Sequence, residues 1–170
     1  MIDVSLLHAV VQLRQPWLDD LMIFATALGT AGFLWLVVAG IGLVFPGRRA
    51  AAWRLVLVLL LTTLVVDGLI KPMVNRPRPS EADPTLVVLD ARPVTSSFPS
   101  GHTARAVAGA VAASEVFPAL TWGFWPAALA IAASRVYLAA HWPSDVLSGA
   151  VVGLLCAWFA LGGRRRVLRR

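Results

Sequence analysis

The stretch that decides the fold runs from Leu21 to Phe45 and reads LMIFATALGTAGFLWLVVAGIGLVF, without a charged residue. An α-helix needs about 20 consecutive apolar residues to cross the hydrocarbon core of a bilayer, so this stretch predicts a transmembrane helix. The composition agrees, because 58% of the 170 residues are hydrophobic, only 14% are charged, and the mean hydropathy is +0.76. Soluble domains carry roughly 25% charged residues. We therefore expect a single membrane-embedded domain over residues 1–170.

Further apolar segments follow toward the C-terminus, at about Ala50–Ile70, Gly101–Phe117, Leu120–Ala140 and Val146–Gly163. The N-terminal stretch Met1–Gln15 instead places its apolar residues on two neighbouring stripes, which predicts an amphipathic helix in the membrane interface. The predicted fold class is all-α: a polytopic membrane helical bundle of about five transmembrane helices plus the N-terminal amphipathic helix, six helices in total.

The distribution of arginines orients these segments. Arg48 and Arg49 lie between the first and second segments, and five arginines lie in the tail at 164–170. With five crossings both regions fall on one side, and the positive-inside rule makes that side cytoplasmic. The net charge of +6 is thus explained by a basic cytoplasmic tail against the anionic lipid bilayer, not by a nucleic-acid partner. We expect a multi-pass protein of the plasma (inner) membrane with a cytoplasmic C-terminus.

Ionisable residues gather at the opposite ends of the second to fifth segments. They are Asp67, Lys71, Arg78, His102, Arg105, Arg135, His141 and Asp145. Such residues are costly inside a membrane and indicate function. Several cations and two histidines in one layer predict a site for an anion with several oxygens, on the periplasmic or extracellular side. The acids of the long outer connection, Asp90 among them, are interpreted as solvated charges.

The local sequence favours phosphate as that anion. At the start of the third segment, Ser100 is a predicted helix N-cap, and Gly101 lets an anion approach the free backbone N–H groups of the helix start. Arg78 and Arg135 offer planar forks that match phosphate oxygens, and Lys71 offers a compact charge.

A second local pattern, HWPSD at 141–145, predicts a nucleophile. Pro143 fits the first position of a helix, so Asp145 falls in its first turn and can reach back toward His141. A carboxylate placed there would fix the tautomer of the imidazole and raise the basicity of its other nitrogen. His102 is then free to donate a proton to the leaving oxygen.

Three blocks of this sequence occur complete and in order. They are Lys71 followed by six residues and Arg78-Pro79; Pro99-Ser100-Gly101-His102; and Ser134-Arg135 followed by five residues, His141, three residues and Asp145. Together they resemble the signature of the type 2 phosphatidic acid phosphatase superfamily, which includes lipid phosphate phosphatases and vanadium haloperoxidases. The neighbouring Arg76-Pro77 offers a rival frame for the first block, but it lies two residues too close to Lys71.

The resemblance implies a mechanism. His141 would attack phosphorus to give a phosphohistidine, Asp145 would orient it, and His102 would protonate the leaving group. The residues implied to hold the phosphoryl oxygens are Lys71, Arg78, Ser100, Gly101 and Arg135. No metal or cofactor is implied, and the implied substrate is a membrane lipid such as polyprenyl diphosphate, phosphatidylglycerol phosphate or phosphatidic acid. Membrane members commonly have six crossings, so here the N-terminal stretch would replace the first span.

Two other functions fit parts of the pattern. The same phosphohistidine could pass its phosphate to an acceptor hydroxyl, which would make the protein a lipid phosphotransferase. Basic residues and proline-broken helices can also line an anion transporter. A transport pathway needs polar groups at several depths, however, and the cytoplasmic halves of these segments are almost purely apolar.

Some residues keep more than one interpretation. Lys71 could simply form an ion pair with Asp67, one helical turn earlier. Arg105 could touch the anion site or a lipid headgroup. A homodimer is possible, and Gly149 and Gly153 would permit close packing of helices in it.

Overall fold

The computed structural model describes residues 2–90 and 95–162. Its helices are α1 (Ile2–Val11), α2 (Pro16–Gly29), α3 (Phe33–Val44), α4 (Arg49–Thr63), α5 (Lys71–Val74), α6 (Pro79–Ala82), α7 (Gly101–Val116), α8 (Thr121–Tyr137) and α9 (Pro143–Ala160). A π-helical stretch, Leu64–Ile70, joins α4 to α5. Apart from the short α6, the described residues form six helical segments (α1, α2–α3, α4–α5, α7, α8 and α9) and no strand. The predicted all-α bundle of six helices is confirmed.

Helix α7 lies at the centre of the bundle, in contact with α4, α8 and α9. Its sequence is rich in alanine, so neighbouring helices can approach its backbone closely. A Cβ atom on Gly153 of α9 would lie 2.3 Å from the Ala104 carbonyl oxygen, and one on Gly149 would lie 2.5 Å from that of Ser100. These glycines therefore serve packing against α7 within the chain, and the possible homodimer stays a prediction.

The first apolar stretch is broken, although the sequence predicts one continuous helix. It begins at Pro16, earlier than predicted, and α2 ends at Gly29. Ala31 (φ 50°) and Gly32 (φ 76°) adopt left-handed backbone conformations, which interrupt the helix before α3 starts. A Cβ atom on Gly32 would lie 3.8 Å from Cδ of Arg105. The break therefore lies beside one of the clustered ionisable residues.

The outer surface of the bundle is apolar. Among the described residues, three helical segments are long and apolar enough to cross a membrane: Pro16–Val44, Pro46–Ala82 and Pro143–Ala160. Large hydrophobic side chains are exposed along them, including Phe24, Leu60, Leu64, Val151 and Phe159. A soluble monomer rarely exposes so large an apolar surface, and the protein is a membrane protein. The count of five crossings and their orientation stay predictions, and the basic tail at 164–170 lies outside the described residues.

The N-terminal helix α1 forms as predicted and packs on the bundle. Its Leu7 is fully buried in a cluster with Ala139 and Trp142. Just after α1, the Arg14 guanidinium donates to the carbonyl oxygen of Tyr137 at 2.8 Å. Helix α1 is thereby docked where α8 ends and α9 begins.

Candidate active site

The residues predicted for the site come from separate parts of the chain that meet at one end of α7. They are Lys71 at the start of α5, Arg78 before α6, Ser100, Gly101 and His102 at the start of α7, Arg135 near the end of α8, and His141 and Asp145 around the start of α9. The backbone N–H of Ser100 donates to the Asp145 carbonyl oxygen at 2.9 Å, and Nη1 of Arg78 lies 3.4 Å from Nε2 of His141. All but Lys71 and His102 are buried.

A backbone carbonyl holds the ring of His141. Its Nδ1 lies 2.7 Å from the Ser97 carbonyl oxygen, so Nδ1 carries the proton and donates. The carboxylate of Asp145, predicted to orient the ring, is more distant, with Oδ2 3.7 Å from Nδ1. Burial and the charges of Arg135 and Arg78 lower the pKa of His141 to about 4, against the opposing effect of Asp145. The imidazole is therefore neutral at neutral pH, and Nε2 keeps its lone pair.

Asp145 organises the backbone around His141. Its Oδ2 accepts a hydrogen bond from the N–H of Trp142 at 3.0 Å, the reach back across the helix start that the sequence predicts. The same oxygen accepts from Oγ of Ser97 at 2.5 Å. Asp145 thereby positions Ser97, whose carbonyl in turn positions His141.

Residues outside the predicted set complete this network. Arg76 donates from Nη1 to Oδ1 of Asp145 at 2.5 Å and from Nη2 to Oδ2 of Asp3 at 2.8 Å. Asp3, in α1, also accepts from the N–H of Ser144 at 2.9 Å. The spacing from Lys71 excludes Arg76 from the motif but not from the site. No short sequence pattern indicates that Asp3 belongs to the site, because Asp3 lies 141 positions from Ser144.

Backbone carbonyls hold the guanidinium of Arg78. Nε donates to the Thr95 carbonyl oxygen at 2.8 Å, and Nη1 donates to that of Ala140 at 2.7 Å. These carbonyl dipoles fix the direction of the side chain without neutralising its charge. Arg78 thus brings a positive charge to within 3.4 Å of the His141 ring.

Arg135 has an acidic partner that the sequence analysis did not assign to it. Its Nη1 donates to Oδ2 of Asp90 at 2.7 Å and to Oγ1 of Thr26. The interpretation of Asp90 as a solvated charge is therefore wrong, because the outer connection folds back over α8. Nε of Arg135 is buried without a hydrogen-bond partner among the described residues, which leaves a donor available to a ligand.

A further group of charges is arranged around Asp67. Lys71 donates from Nζ to Oδ1 at 2.7 Å, which is the ion pair that the spacing predicts. Arg105 donates from Nη1 to Oδ2 at 2.7 Å. The Arg105 guanidinium also lies against the start of α7, with Nη2 3.0 Å from the position that a Cβ on Gly101 would take. This geometry favours contact with the site over contact with a lipid headgroup.

The start of α7 supplies backbone donors. Oγ of Ser100 accepts from the N–H of Thr103 at 3.4 Å, so Ser100 is the N-cap that the sequence predicts. His102 follows in the first turn of the helix. The ionisable groups that act electrostatically on it are Arg135, Arg105, His141 and Lys71. A helix N-terminus surrounded by cations is a suitable site for a phosphate group.

Charge rather than cavity size distinguishes this site. Within residues 2–90 and 95–162, no three His, Cys, Asp or Glu side chains are grouped as metal ligands would be. The four aspartates of the site each accept from an arginine or lysine instead. A groove of about 1020 Å³ lies around Arg54, Glu115 and Trp158. It adjoins the far end of α7 and contains none of the predicted site residues.

The chain is similar to known proteins over most of its length. A family model described as the PAP2 superfamily matches residues 51–168. The chain is 29% identical to phosphatidylglycerophosphatase B of Bacillus subtilis over 98% of this chain and 85% of that protein. It is 30% identical to undecaprenyl-diphosphatase of Sulfolobus acidocaldarius over 80% of this chain and 66% of that protein. The crystal structure of LpxE from Aquifex aeolicus matches with a TM-score of 0.83 and 28% identity, over 95% and 96% of the two chains.

Proposed function

Because the chain belongs to the PAP2 superfamily, we propose that it hydrolyses a phosphate or diphosphate ester of a membrane lipid through a phosphohistidine on His141, without a metal. By their names, two relatives act on phosphatidylglycerophosphate and on undecaprenyl diphosphate. Both compounds carry phosphate on a lipid. Polyprenyl diphosphate, phosphatidylglycerol phosphate and phosphatidic acid are therefore the proposed substrates of this chain.

The observation that carries the proposal is the setting of His141. Because Nδ1 donates to the Ser97 carbonyl oxygen, Nε2 is the nitrogen that can attack, and it faces Arg78 at 3.4 Å. Nε2 forms a bond to phosphorus while the bond from phosphorus to the leaving oxygen breaks, and His102 gives that oxygen a proton. The Ser97 carbonyl stabilises the positive imidazole ring that results.

Hydrolysis of the phosphohistidine completes the cycle. A water molecule attacks phosphorus, gives its proton to His102, and the nitrogen–phosphorus bond breaks, which returns His141 to its neutral form. Throughout, Arg78, Arg135 and Lys71 stabilise the phosphoryl oxygens together with the N–H groups at the start of α7. The structure supplies these charges in advance, so the protein does not have to reorganise as the transition state forms.

The proposal includes a site on the non-cytoplasmic face. Among the described residues, two arginines that follow the first apolar stretch, Arg48 and Arg54, adjoin the opposite end of α7 from His102. Nη1 of Arg48 donates to the carbonyl oxygen of Val116, the last residue of α7, at 3.3 Å, and Arg54 pairs with Glu115 at 3.7 Å. If the positive-inside rule makes this end cytoplasmic, the site faces the other side of the membrane.

Phosphate release by the purified, detergent-solubilised protein tests the proposal. The assay contains excess chelator and offers phosphatidic acid, phosphatidylglycerol phosphate and polyprenyl diphosphate in turn. We expect chelator-resistant release from at least one lipid and none from the His141→Ala variant. Release that the chelator stops would contradict the metal-independent mechanism. Phosphorylated acceptor without free phosphate would identify a phosphotransferase.

Asp3→Asn tests whether α1 is part of the site. The substitution removes the charged partner of Arg76 Nη2, and this weakens the positioning of the guanidinium, whose Nη1 contacts Asp145. We expect kcat to fall roughly tenfold to a hundredfold, because the His141 ring loses its exact placement, while KM changes less than about threefold. Steady-state kinetics and the Tm are the measurements.

Asp20→Asn is the matched control for this prediction, because Asp20 is an exposed acid of α2. It should change neither constant. Asp3→Glu should recover part of the lost kcat. A rise in KM alone after Asp3→Asn would contradict the positioning role and assign α1 to lipid contact.

A further inference from the structure

Arg105 is a buried cation that the three-block motif does not contain. Its side chain is 10% exposed, and Nη1 donates to Oδ2 of Asp67 at 2.7 Å. The other carboxylate oxygen of Asp67 accepts from Nζ of Lys71 at 2.7 Å. One carboxylate thus joins two cations, and the group keeps a net positive charge.

Arg105 lies on the same helix as the proposed proton donor. It follows His102, the proposed proton donor, by three positions in α7, so the two side chains share one face of the helix. Arg105 and Lys71 both act electrostatically on His102. Arg135 and Arg78 act electrostatically on the proposed nucleophile, His141. The contact with Asp67 and the position one turn after His102 therefore place Arg105 near the proton donor.

The guanidinium of Arg105 has donor capacity that its described neighbours leave unused. Nε is buried without a hydrogen-bond partner in the part of the chain that the structure describes, as is Nε of Arg135. Burying an unpaired charged donor costs free energy. Beside an anion site, such a donor indicates a ligand group that satisfies it. The absence of a side chain at Gly101 leaves room for this guanidinium at the start of α7.

We propose that Arg105, held by Asp67, forms a second anion subsite that binds the lipid-linked phosphate of a lipid diphosphate. This rests on the proposed phosphatase function and narrows its substrate class. Nε2 of His141 attacks the terminal phosphorus, the bond from that phosphorus to the bridging oxygen breaks, and the electron pair stays on the departing lipid monophosphate. Arg105 stabilises the charge that develops there. A lipid monophosphate offers this subsite no second phosphate.

Farnesyl diphosphate and farnesyl monophosphate test the subsite, because they share one tail and differ by one phosphate. We expect the wild-type protein to prefer the diphosphate by about tenfold or more in kcat/KM. Arg105→Gln should lower kcat/KM for the diphosphate roughly tenfold to a hundredfold, and at least about fivefold more than it lowers kcat/KM for the monophosphate. Arg105→Lys keeps the charge but loses the Nε donor. Its kcat/KM for the diphosphate should therefore lie between that of the wild-type protein and that of Arg105→Gln. If Arg105→Gln does not fold, the losses of kcat/KM on the two substrates are compared for Arg105→Lys instead.

Arg54→Gln is the matched control, since Arg54 forms its ion pair with Glu115 at the other end of α7. Arg54→Gln should leave kcat/KM unchanged for both substrates. An equal loss on both substrates in the Arg105 variants, or no loss on either, would overturn the proposal. If the wild-type protein releases no phosphate from either probe, the proposed function itself fails and the subsite proposal falls with it.

Inhibition by inorganic anions gives a measurement that does not depend on the leaving group. Pyrophosphate should inhibit the wild-type protein about tenfold more strongly than orthophosphate. Arg105→Lys should reduce that advantage. Equal inhibition by the two anions in the wild-type protein would overturn the second subsite even if the diphosphate is hydrolysed.

Discussion

His141→Ala is expected to lower kcat/KM by about four orders of magnitude or more, the largest effect that we expect from a single substitution. The substitution removes Nε2, so water would have to attack phosphorus directly, and the remaining cations would stabilise only the phosphoryl oxygens. The protein should still fold, because Asp145 keeps its contacts with Ser97 and with the N–H of Trp142. Phosphate release is the first measurement.

The covalent intermediate gives a second measurement of the same role. Wild-type protein that is mixed with radiolabelled substrate and quenched in alkali should carry label in a nitrogen–phosphorus bond, which alkali preserves and acid breaks. His141→Ala should carry none. His8→Ala is the matched control, because His8 is the one histidine of the sequence besides His102 and His141, lies in α1, and pairs with Asp83 at 3.3 Å. Substantial turnover by His141→Ala would refute the mechanism.

His102→Ala is expected to lower kcat/KM on phosphatidic acid roughly a hundredfold to ten-thousandfold. The alkoxide that leaves this substrate is a strong base and needs a proton as the bond breaks. An aryl phosphate such as p-nitrophenyl phosphate has a leaving group that is stable as an anion. On that substrate we expect kcat/KM, which does not include the later attack of water, to fall less than about tenfold. The ratio of the two losses is the quantity to measure.

This ratio separates proton donation from a structural role for His102. Ser114→Ala is the control within the same helix, because Ser114 donates to the Ala110 carbonyl oxygen at 2.8 Å near the far end of α7. It should leave both activities unchanged. Equal losses on both substrates after His102→Ala would contradict proton donation and assign the side chain to phosphoryl binding. A lipid diphosphate should behave like the aryl phosphate, because its leaving group is also a stable anion.

The parts of the site that short sequence patterns encode were predictable. Ser100 caps α7 by accepting from the N–H of Thr103. Asp145 reaches back to the N–H of Trp142 at the start of α9. Both contacts join residues three positions apart, so residue type and spacing are sufficient. The helical class was predictable because long uncharged stretches have few other ways to satisfy their backbone groups in a membrane.

Contacts between distant residues were not predictable. Nδ1 of His141 donates to the carbonyl oxygen of Ser97, and every residue carries a carbonyl, so residue type gives no indication of this partner. Asp3 reaches Ser144 across 141 positions. Asp90 reaches an arginine of α8 only because the outer connection folds back. The prolines of that connection indicate irregular backbone but not its direction.

The sequence contains only a weak indication of the break between α2 and α3. Glycine at position 32 permits the left-handed conformation, but Gly40 and Gly42 lie inside the continuous helix α3. Ala31 adopts φ 50° beside Gly32, although alanine has the strongest intrinsic helix preference. Gly32 lies against Leu59 and Arg105, so tertiary packing rather than local preference accounts for the break.

The contact between Asp3 and Ser144 has a consequence for how the protein is made. Helix α1 leaves the ribosome before Arg76, Ser144 and Asp145 have been synthesised, so Asp3 meets these partners only after the start of α9 has been made. The site therefore needs residues that are synthesised early and residues that are synthesised much later. On the proposed mechanism, a nascent chain that stops before Asp145 contains His141 and the phosphate-binding lysine and arginines, but it lacks the carboxylate that positions the nucleophile, so full activity requires α9.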